Sequence, residues 1–307
     1  MKTKIACLFL VLSFNVSVWA QTVTVNKQYS LFSKTEGTKA FYPVFNENGD
    51  KLLFTSESYQ GLNMYDVTNK TLKHISDEPG AGYEPIFGEN STKIFFRKTS
   101  YKTGRKYDAI QSHDLSNNQE VQMLTPQRNL KQARNFQNGF VVSVDKKLLK
   151  ATFGKNTRQL PVYVCSEDLK MVLYSNGKRV ELNPMGADAG GYLWISMSPD
   201  SKKIVFTAVR KGTFICDLNG KILASLGKLN APVWYDNDFI VGMQDEDDGS
   251  FVTASKIMMM SANGKLKKQI SPVNQIAMYP STSAKSNKVA YNTSDGSIHV
   301  VELTVNH

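Results

Sequence analysis

The chain has 307 residues, and its 37 Lys and Arg outnumber its 27 Asp and Glu, for a formal net charge of +10. The lysines are dispersed, several of them in predicted hairpin turns such as 49–51 and 200–203. This distribution lacks the basic patch of a nucleic-acid-binding protein, so no nucleic-acid partner is expected. Three cysteines in a chain of this length also exclude a disulfide framework.

The N-terminus has the pattern of a secretory signal peptide. Lys2 and Lys4 form a basic start, an apolar run follows, and 18–20 supplies small residues for cleavage after Ala20. The apolar run of about 14 residues is short of the roughly 20 needed to span a bilayer. A lipid anchor on Cys7 is not expected, because Lys4 occupies a position where lipoprotein signals need an apolar residue. We therefore predict a signal peptide over 1–20 and a periplasmic or secreted protein that does not span the membrane.

Beyond this segment the chain repeats one pattern seven times. Each copy has an aromatic or Pro-containing start, a polar turn and a strongly hydrophobic strand, which together predict a β-hairpin. The four clear copies begin at Tyr42-Pro43, Glu84-Pro85, Trp194 and Tyr279-Pro280. The three weaker copies contain Asn135-Phe136, Val164-Cys165 and Val233-Trp234.

In most copies a second hairpin follows the first. Met64–Val67 turns into Leu72–Ile75, and Ile215–Leu218 turns at Asn219-Gly220 into another short strand. Asn-Gly favours the positive φ angles of a tight hairpin turn. Each repeat therefore predicts four antiparallel strands.

The spacing of the repeats indicates a β-propeller. The first strands open at seven corresponding residues, Tyr42, Glu84, Ala133, Val162, Trp194, Ala231 and Tyr279. Their mean spacing of about 41 residues is close to the roughly 40–45 of a propeller blade. The copy near Val162 has no clear fourth strand. Seven blades are therefore favoured, and six follow if this copy is not a blade.

The two ends of the domain complete the pattern. The chain ends on Ile298–Leu303, which matches a third strand, and Val23–Phe32 resembles the outermost strand of a blade. We predict that residues 21–307 form a single all-β domain, a closed β-propeller of four-stranded antiparallel blades whose ring is closed by the N- and C-terminal strands. An open β-solenoid or a two-sheet sandwich is the alternative, although sandwiches do not show this period.

The segment Ser198-Pro199-Asp200-Ser201, followed by 202–206, resembles the repeat of the TolB-like propellers, which are related to WD-type repeats. Residues 46–54 form a looser copy, and the pairs Tyr65-Asp66, His113-Asp114 and Cys216-Asp217 match the family's third-strand ending. The resemblance implies an exported interaction module of the bacterial cell envelope. Asp200, Asp66, Asp114 and Asp217 are expected to bond the backbone of their own turns rather than to act in catalysis.

The sequence shows no signature of a catalytic or metal-binding site. No Gly-x-Ser-x-Gly elbow is present, and the four histidines, His74, His113, His299 and His307, lie in separate repeats or at the terminus. The acidic run 245–249 lacks the spacing of a calcium-binding loop and predicts a solvated hairpin tip. The three methionines at 258–260 predict a strand packed in the core. Cys165 and Cys216 are expected to be small buried residues. We predict a non-enzymatic protein with no metal or cofactor. A lyase-type activity stays open because related propellers include lyases.

In this register the channel mouth carries an aromatic-rich set with one Arg and one Glu, namely Tyr42, Tyr83, Glu84, Arg134, Tyr163, Trp194 and Tyr279. Such a set is typical of a surface that binds a peptide or a glycan by stacking and a few polar contacts. The alternative is that these aromatics only pack on each other. The first hypothesis is a monomeric protein–protein interaction platform that binds an envelope protein or peptide. The second is a glycan-binding, carbohydrate-active or sensory propeller of an outer-membrane uptake system.

Overall fold

The computed structural model describes residues 21–32, 39–154 and 158–307, and the predicted signal peptide lies outside them. The described residues form seven antiparallel sheets arranged as the blades of a β-propeller. The fold prediction is therefore confirmed, and the blade count is seven. Most strands coincide with runs of apolar and β-branched residues, such as Phe239–Asp247 and Lys288–Thr293, and many of the turns between them use Asn, Asp and Gly.

The blades are numbered from the first complete sheet in the chain. Blade 1 contains β2 (Phe41–Phe45), β3 (Lys51–Thr55), β4 (Gln60–Asp66) and β5 (Thr71–Pro79). Blade 2 contains β6 (Ile86–Phe87), β7 (Lys93–Lys102), β8 (Arg105–Asp114) and β9 (Glu120–Gln127). Blade 3 contains β10 (Arg134–Phe136), β11 (Gly139–Val144) and β12 (Lys147–Thr152). Blade 4 contains β13 (Tyr163–Glu167), β14 (Lys170–Ser175) and β15 (Lys178–Leu182).

The remaining three blades complete the ring. Blade 5 contains β16 (Tyr192–Met197), β17 (Lys203–Ala208), β18 (Gly212–Asp217) and β19 (Ile222–Gly227). Blade 6 contains β20 (Asn230–Trp234), β21 (Phe239–Asp247), β22 (Val252–Ser261) and β23 (Lys267–Gln269). Blade 7 contains β24 (Ala277–Ser283), β25 (Lys288–Thr293), β26 (Ile298–Asn306) and the N-terminal β1 (Thr22–Phe32). Within the described residues, blades 3 and 4 have three strands where the other five have four.

The N-terminal strand closes the ring as predicted. β1 pairs with β26 in antiparallel register from Thr22 opposite Asn306 to Phe32 opposite Ile298. Val23 is buried in the core cluster that also holds Val301 and Leu303. The last blade is therefore built from both ends of the domain, which leaves β26 with no open edge.

The core lies between neighbouring blades, where the apolar faces of the sheets pack on each other. Phe54 and Phe206 are among the largest fully buried side chains. Met259 and Met260 are buried core residues of β22, and Cys165 and Cys216 are buried and unpaired, as predicted. These residues stabilise the ring through packing.

The turn aspartates bond their own turns, as expected from local turn chemistry. The Oδ1 atom of Asp200 accepts from the backbone N–H of Lys202 at 3.2 Å and from the Ser198 hydroxyl at 2.6 Å. Asp66, Asp114 and Asp217 each accept from backbone N–H groups two residues ahead. These bonds lower the pKa of Asp66 and Asp200, which marks both carboxylates as structural.

Candidate functional site

The candidate site lies at one end of the ring, called the mouth end here. In each blade the first strand begins at this end and the second strand finishes there, as the pairing of Phe41 with Thr55 in blade 1 illustrates. The hairpin that joins the second and third strands therefore also lies at the mouth end. Tyr59 in such a hairpin stacks on Tyr42 with ring centroids 4.3 Å apart.

Five of the seven opening residues share an unusual backbone conformation. Tyr42, Glu84, Trp194, Ala231 and Tyr279 have φ between 45° and 54°, the left-handed region. Four of the corresponding strand pairs also show a register shift at this point. A bulky residue with positive φ costs about 1–2 kcal/mol, so the surrounding ring must hold this conformation in place.

An aromatic row crosses blades 7, 1 and 2 at the mouth. The ring of Tyr279 lies 4.8 Å from that of Tyr42, and Tyr59 continues the row to Tyr83 with a T-shaped contact at 5.2 Å. Burial raises the pKa of Tyr59 and of Tyr279. The members Tyr42, Tyr59 and Tyr279 are half-buried by their neighbours, so these three rings form a packed floor.

A buried charge cluster sits beside this row. The guanidinium of Arg97 lies 3.3 Å from both Glu84 and Asp108, donates to the carbonyl oxygen of Lys131 at 3.0 Å, and stacks over the ring of Tyr83 at 5.0 Å. Burial raises the pKa of Glu84, and the nearby guanidinium of Arg97 opposes that rise. The charges are satisfied internally, so the cluster fixes the positions of Tyr83 and Glu84.

Arg134 lies at the mouth in blade 3, whereas Tyr163 in blade 4 does not form part of the mouth surface. Arg134 is half-buried and donates to the carbonyl oxygen of Ile195 at 3.3 Å, which ties blade 3 to blade 5. Tyr163 was expected beside the mouth as a binding residue, but its ring is buried and its hydroxyl donates to the carbonyl oxygen of Gln132 at 2.7 Å. Its side chain belongs to the core because it fills the space between blades 3 and 4.

The structure also shows residues that the sequence analysis missed. Strands β7 and β8 have 10 residues each, against 6 each in β17 and β18, and β21 and β22 have 9 and 10. Four extra residues lengthen a strand by about 13 Å. Two hairpins, called the blade 2 arm and the blade 6 arm, therefore project from the mouth end.

Exposed aromatic side chains are concentrated at this end. Among the residues whose exposure the structure describes, four Phe, Tyr or Trp side chains count as exposed, Tyr83 at 38%, Trp194 at 42%, Tyr101 at 71% and Phe251 at 76%. Tyr83 and Trp194 lie at or beside opening positions, while Tyr101 and Phe251 lie at the tips of the blade 2 and blade 6 arms. All four are at the mouth end.

The two arms carry opposite charges. The tip of the blade 2 arm holds the exposed cations Lys102, Arg105 and Lys106. The blade 6 arm holds Glu246, Asp247 and Asp248, which are exposed, and Asp245, which accepts from Asn230 at 2.7 Å. The acidic run is the hairpin tip that was predicted, and its position opposite a basic arm gives the mouth an electrical polarity.

The mouth has little room for a small molecule beside the charge cluster. The cavity lined by Glu84, Arg97 and Lys131 has a volume of about 10 Å³. That is about the space of one water molecule. Among the described residues no group of three or more His, Cys, Asp or Glu side chains is arranged to hold a metal ion. Nor does any helix in the described part of the chain have the length and apolar character to cross a membrane.

Comparison with known proteins gives the fold. No family model matches the sequence, and no curated protein matches it. The structure is similar to TolB from Acinetobacter baumannii, with a TM-score of 0.52 and 18% identity over 79% of this chain and 56% of that one. It is also similar to the β-propeller domain of Cps50 (Swd1) from Myceliophteria thermophila, with a TM-score of 0.61 and 8% identity over 93% of this chain and 100% of that one.

A weaker likeness, with a TM-score of 0.47 and 11% identity, covers 89% of this chain and 79% of an oligogalacturonate lyase from Vibrio parahaemolyticus. The match to TolB covers little more than half the length of the TolB chain. At these identities the likeness extends to the fold alone. The chain is a seven-bladed β-propeller whose architecture is shared with TolB and with a WD-type propeller domain.

Proposed function

We propose that this chain is an exported, non-enzymatic protein-binding platform of the cell envelope, and that its mouth end holds a segment of a partner protein. The observation that carries the proposal is the position of the four exposed aromatic side chains, all of them at the mouth end. Exposed Trp and Tyr are the residue types that dominate binding energy at protein interfaces. A propeller end that collects them is suited to macromolecular contact.

The shape and charge of the mouth favour a protein partner. The arms rise from blades 6 and 2, and the two blades between them, 7 and 1, supply the floor of Tyr279, Tyr42 and Tyr59. This arrangement makes a cradle with an acidic wall and a basic wall. A partner segment that carries cations near blade 6 and carboxylates near blade 2 would be attracted and oriented by it.

The mouth residues then divide into two roles. Tyr42, Tyr59 and Tyr279 pack on one another and keep the floor in shape. Trp194 and Tyr83 are partly exposed and offer that surface to a partner. TolB is similar in fold, and an interaction role agrees with that likeness. The proposal rests on the exposed rings and not on the likeness.

Glycan binding is the second candidate, because exposed rings such as that of Trp194 can also stack on the faces of sugars. The small volume of the cavity at Glu84 disfavours a buried sugar pocket, so a glycan would have to lie along the surface. A glycan-array screen with the purified protein tests this candidate. Binding that Trp194→Ala abolishes would support it over a protein partner.

The protein-partner proposal is tested by site-specific crosslinking in envelope extracts. A photo-crosslinking amino acid is placed at position 83, at position 194 and, as a control, at position 72. Leu72 is 55% exposed but lies toward the other end of the ring, opposite Tyr65 in the pairing of β5 with β4. One protein crosslinked from positions 83 and 194, and absent from position 72, is the expected result.

Affinity and stability are then measured for the captured partner. Trp194→Ala should weaken binding by about 1–4 kcal/mol, as for an aromatic hot spot. Its unfolding should change little, because the ring is 42% exposed. Phe206→Ala, by contrast, should destabilise the fold by about 3–5 kcal/mol through a buried cavity. If Trp194→Ala unfolds as readily as Phe206→Ala, Trp194 is a packing residue and the assignment of the mouth is wrong.

A further inference from the structure

A second surface feature lies at the outer edge of blades 3 and 4, outside the cradle formed by blades 6, 7, 1 and 2. In the four-stranded blades the outermost strand packs on the next blade. Met123 and Leu124 of β9 pack on the core cluster of blade 3, and Ala224 and Leu226 of β19 pack on that of blade 6. The outermost strand thus covers an apolar seam between blades.

Blade 4 lacks this strand but covers its seam with its own chain. After β15, Met185 and Ala189 join the core cluster shared by blades 4 and 5. The backbone N–H of Met185 donates to the hydroxyl of Tyr192 at 3.1 Å, and that hydroxyl donates to Asn183 at 2.6 Å. The loop therefore replaces the fourth strand of blade 4.

Blade 3 differs, because a groove remains at the corresponding place. Its volume is about 350 Å³, and it lies between β12 and the β14–β15 hairpin of blade 4. The lining includes Leu148, Leu160 and Tyr174 together with Lys146, Lys147 and Lys150. This volume is within the range of roughly 300–1,000 Å³ that is usual for binding sites.

The edge of β12 is open to pairing. The two-residue turn Asp145-Lys146 has φ of 47° and 64°, so its flanking residues Val144 and Lys147 form a hydrogen-bonded pair. Hydrogen-bonded and non-hydrogen-bonded pairs alternate along an antiparallel ladder, so Leu148 and Lys150 direct their N–H and C=O groups away from β11. Within the described residues, neither Leu148 nor Lys150 makes a backbone hydrogen bond on that side.

The charge of the groove selects the occupant. No carboxylate is among its lining residues. Of the lining cations, Lys146 pairs with Asp168, and Arg179 pairs with Glu167 and Glu181. Lys147 has no ion-pair partner in the described part of the chain. Lys150 donates to the carbonyl oxygen of Gln159 at 3.3 Å and lies over the ring of Phe136, so its charge is not neutralised by an acid there. A segment that alternates acidic and apolar residues would meet both the lysines and the Leu148–Tyr174 floor.

We propose that this groove is a second binding site, in which an extended acidic segment of a partner protein pairs with β12 as the fourth strand of blade 3. Backbone bonds to Leu148 and Lys150 would supply affinity, and the lysines would select carboxylates. Edge lysines also protect an open strand from pairing with unselected chains. The site lies outside the cradle of blades 6, 7, 1 and 2, and the proposal does not rely on the function proposed for that cradle.

The test uses a short fluorescein-labelled peptide in which valine alternates with glutamate. Fluorescence anisotropy should show saturable binding that weakens as salt is added, because the lysines are exposed and their attraction is screened. Amide hydrogen exchange should show new protection at Leu148 and Lys150. A peptide with lysine in place of glutamate, and one that is N-methylated at every second residue, should fail to bind.

Two variants of one residue separate backbone pairing from charge. Lys150→Pro removes an outward N–H that has no partner in β11, and proline is tolerated at such edge positions. Lys150→Pro should weaken binding well beyond the loss caused by Lys150→Ala, by roughly tenfold or more. Trp194→Ala should leave peptide binding unchanged, whatever its effect at the mouth.

Three results would overturn the proposal. The first is equal affinity of the peptide for Lys150→Pro and Lys150→Ala, where thermal melts show that both variants are folded. The second is peptide binding without hydrogen-exchange protection of the Leu148 and Lys150 amides. This measurement uses the unmodified protein, so it tests the proposal even if Lys150→Pro does not fold. The third is a dimer of the free protein that Lys150→Pro dissociates, because a second copy of this chain would then be the occupant.

Discussion

Removal of the N-terminal strand is the strongest test of how the ring is held closed. Deleting 21–32 exposes the apolar seam at which Val23 is buried and Val25, Tyr29 and Leu31 are partly buried. Full burial of one such side chain contributes about 1.5–3 kcal/mol. Counting Val23 in full and the other three at half, the loss is about 4–7.5 kcal/mol. A domain has only about 5–15 kcal/mol of stability, so the truncated chain should be close to unfolding at room temperature.

The assay is urea unfolding followed by circular dichroism, with and without a synthetic peptide of residues 21–32. The truncated chain should unfold at a much lower urea concentration than the full chain. Added peptide should raise that midpoint in a concentration-dependent way, since a ligand of the folded state stabilises by mass action. A peptide in which Val23 and Val25 are replaced by serine is the control and should not restore it. An unchanged midpoint after truncation would show that β1 is not part of the closure.

Two further predictions concern a buried carboxylate and the backbone of the mouth. Burial raises the pKa of Glu167, but hydrogen bonds from Ser143, Tyr174 and Arg179 outweigh it and hold that pKa below its usual 4.5. The stabilisation by the ionised Glu167 carboxylate is present above its pKa in the unfolded chain and is lost as pH falls through its pKa in the folded protein. Glu167→Gln should therefore lower the free energy of unfolding by about 1–3 kcal/mol near neutral pH, and this loss should shrink below about pH 4. Denaturant titrations that give the same loss at neutral and acidic pH would contradict this. Ala231→Gly should stabilise by about 0.5–1 kcal/mol because it relieves a φ of 45°. Ala254→Gly, at an exposed position of β22 whose φ is not positive, should destabilise by about the same amount. A loss of stability in Ala231→Gly would argue against strain at the opening positions.

The fold could be predicted because propeller blades leave local signals in the chain. Hairpins show as alternating apolar runs with Asn, Asp and Gly turns, and their repetition needs no knowledge of distant contacts. The count of seven was less certain because the copy near Val162 has three strands. What decides its status is packing, since the loop at Met185 covers the seam that a fourth strand would cover.

The mouth was predicted less completely, because its character depends on contacts between distant residues. The opening residues were placed correctly at one end, yet the burial of Tyr163 follows from its position between two blades and not from its local pattern. Arg97 lies in an apolar strand pattern that does not reveal its contacts with Glu84 and Asp108. Likewise, the extra length of the two arms is visible in the sequence only once the ends of the strands are known.

The closure of the ring and the proposed binding surface are mechanically connected. Blades 7 and 1 lie between the two charged arms, and blade 7 owes its outermost strand to β1. Gln28 of β1 donates to the carbonyl oxygen of Ile270 at 2.7 Å, which joins β1 to the segment that leads from blade 6 into blade 7. These contacts hold blade 7 against blade 6, which is one of the three blade interfaces that lie between the acidic and the basic wall. The binding of a partner by opposite charges, as proposed for this cradle, requires a constant distance between its walls, and β1 would contribute to that preorganisation by holding blade 7 in place.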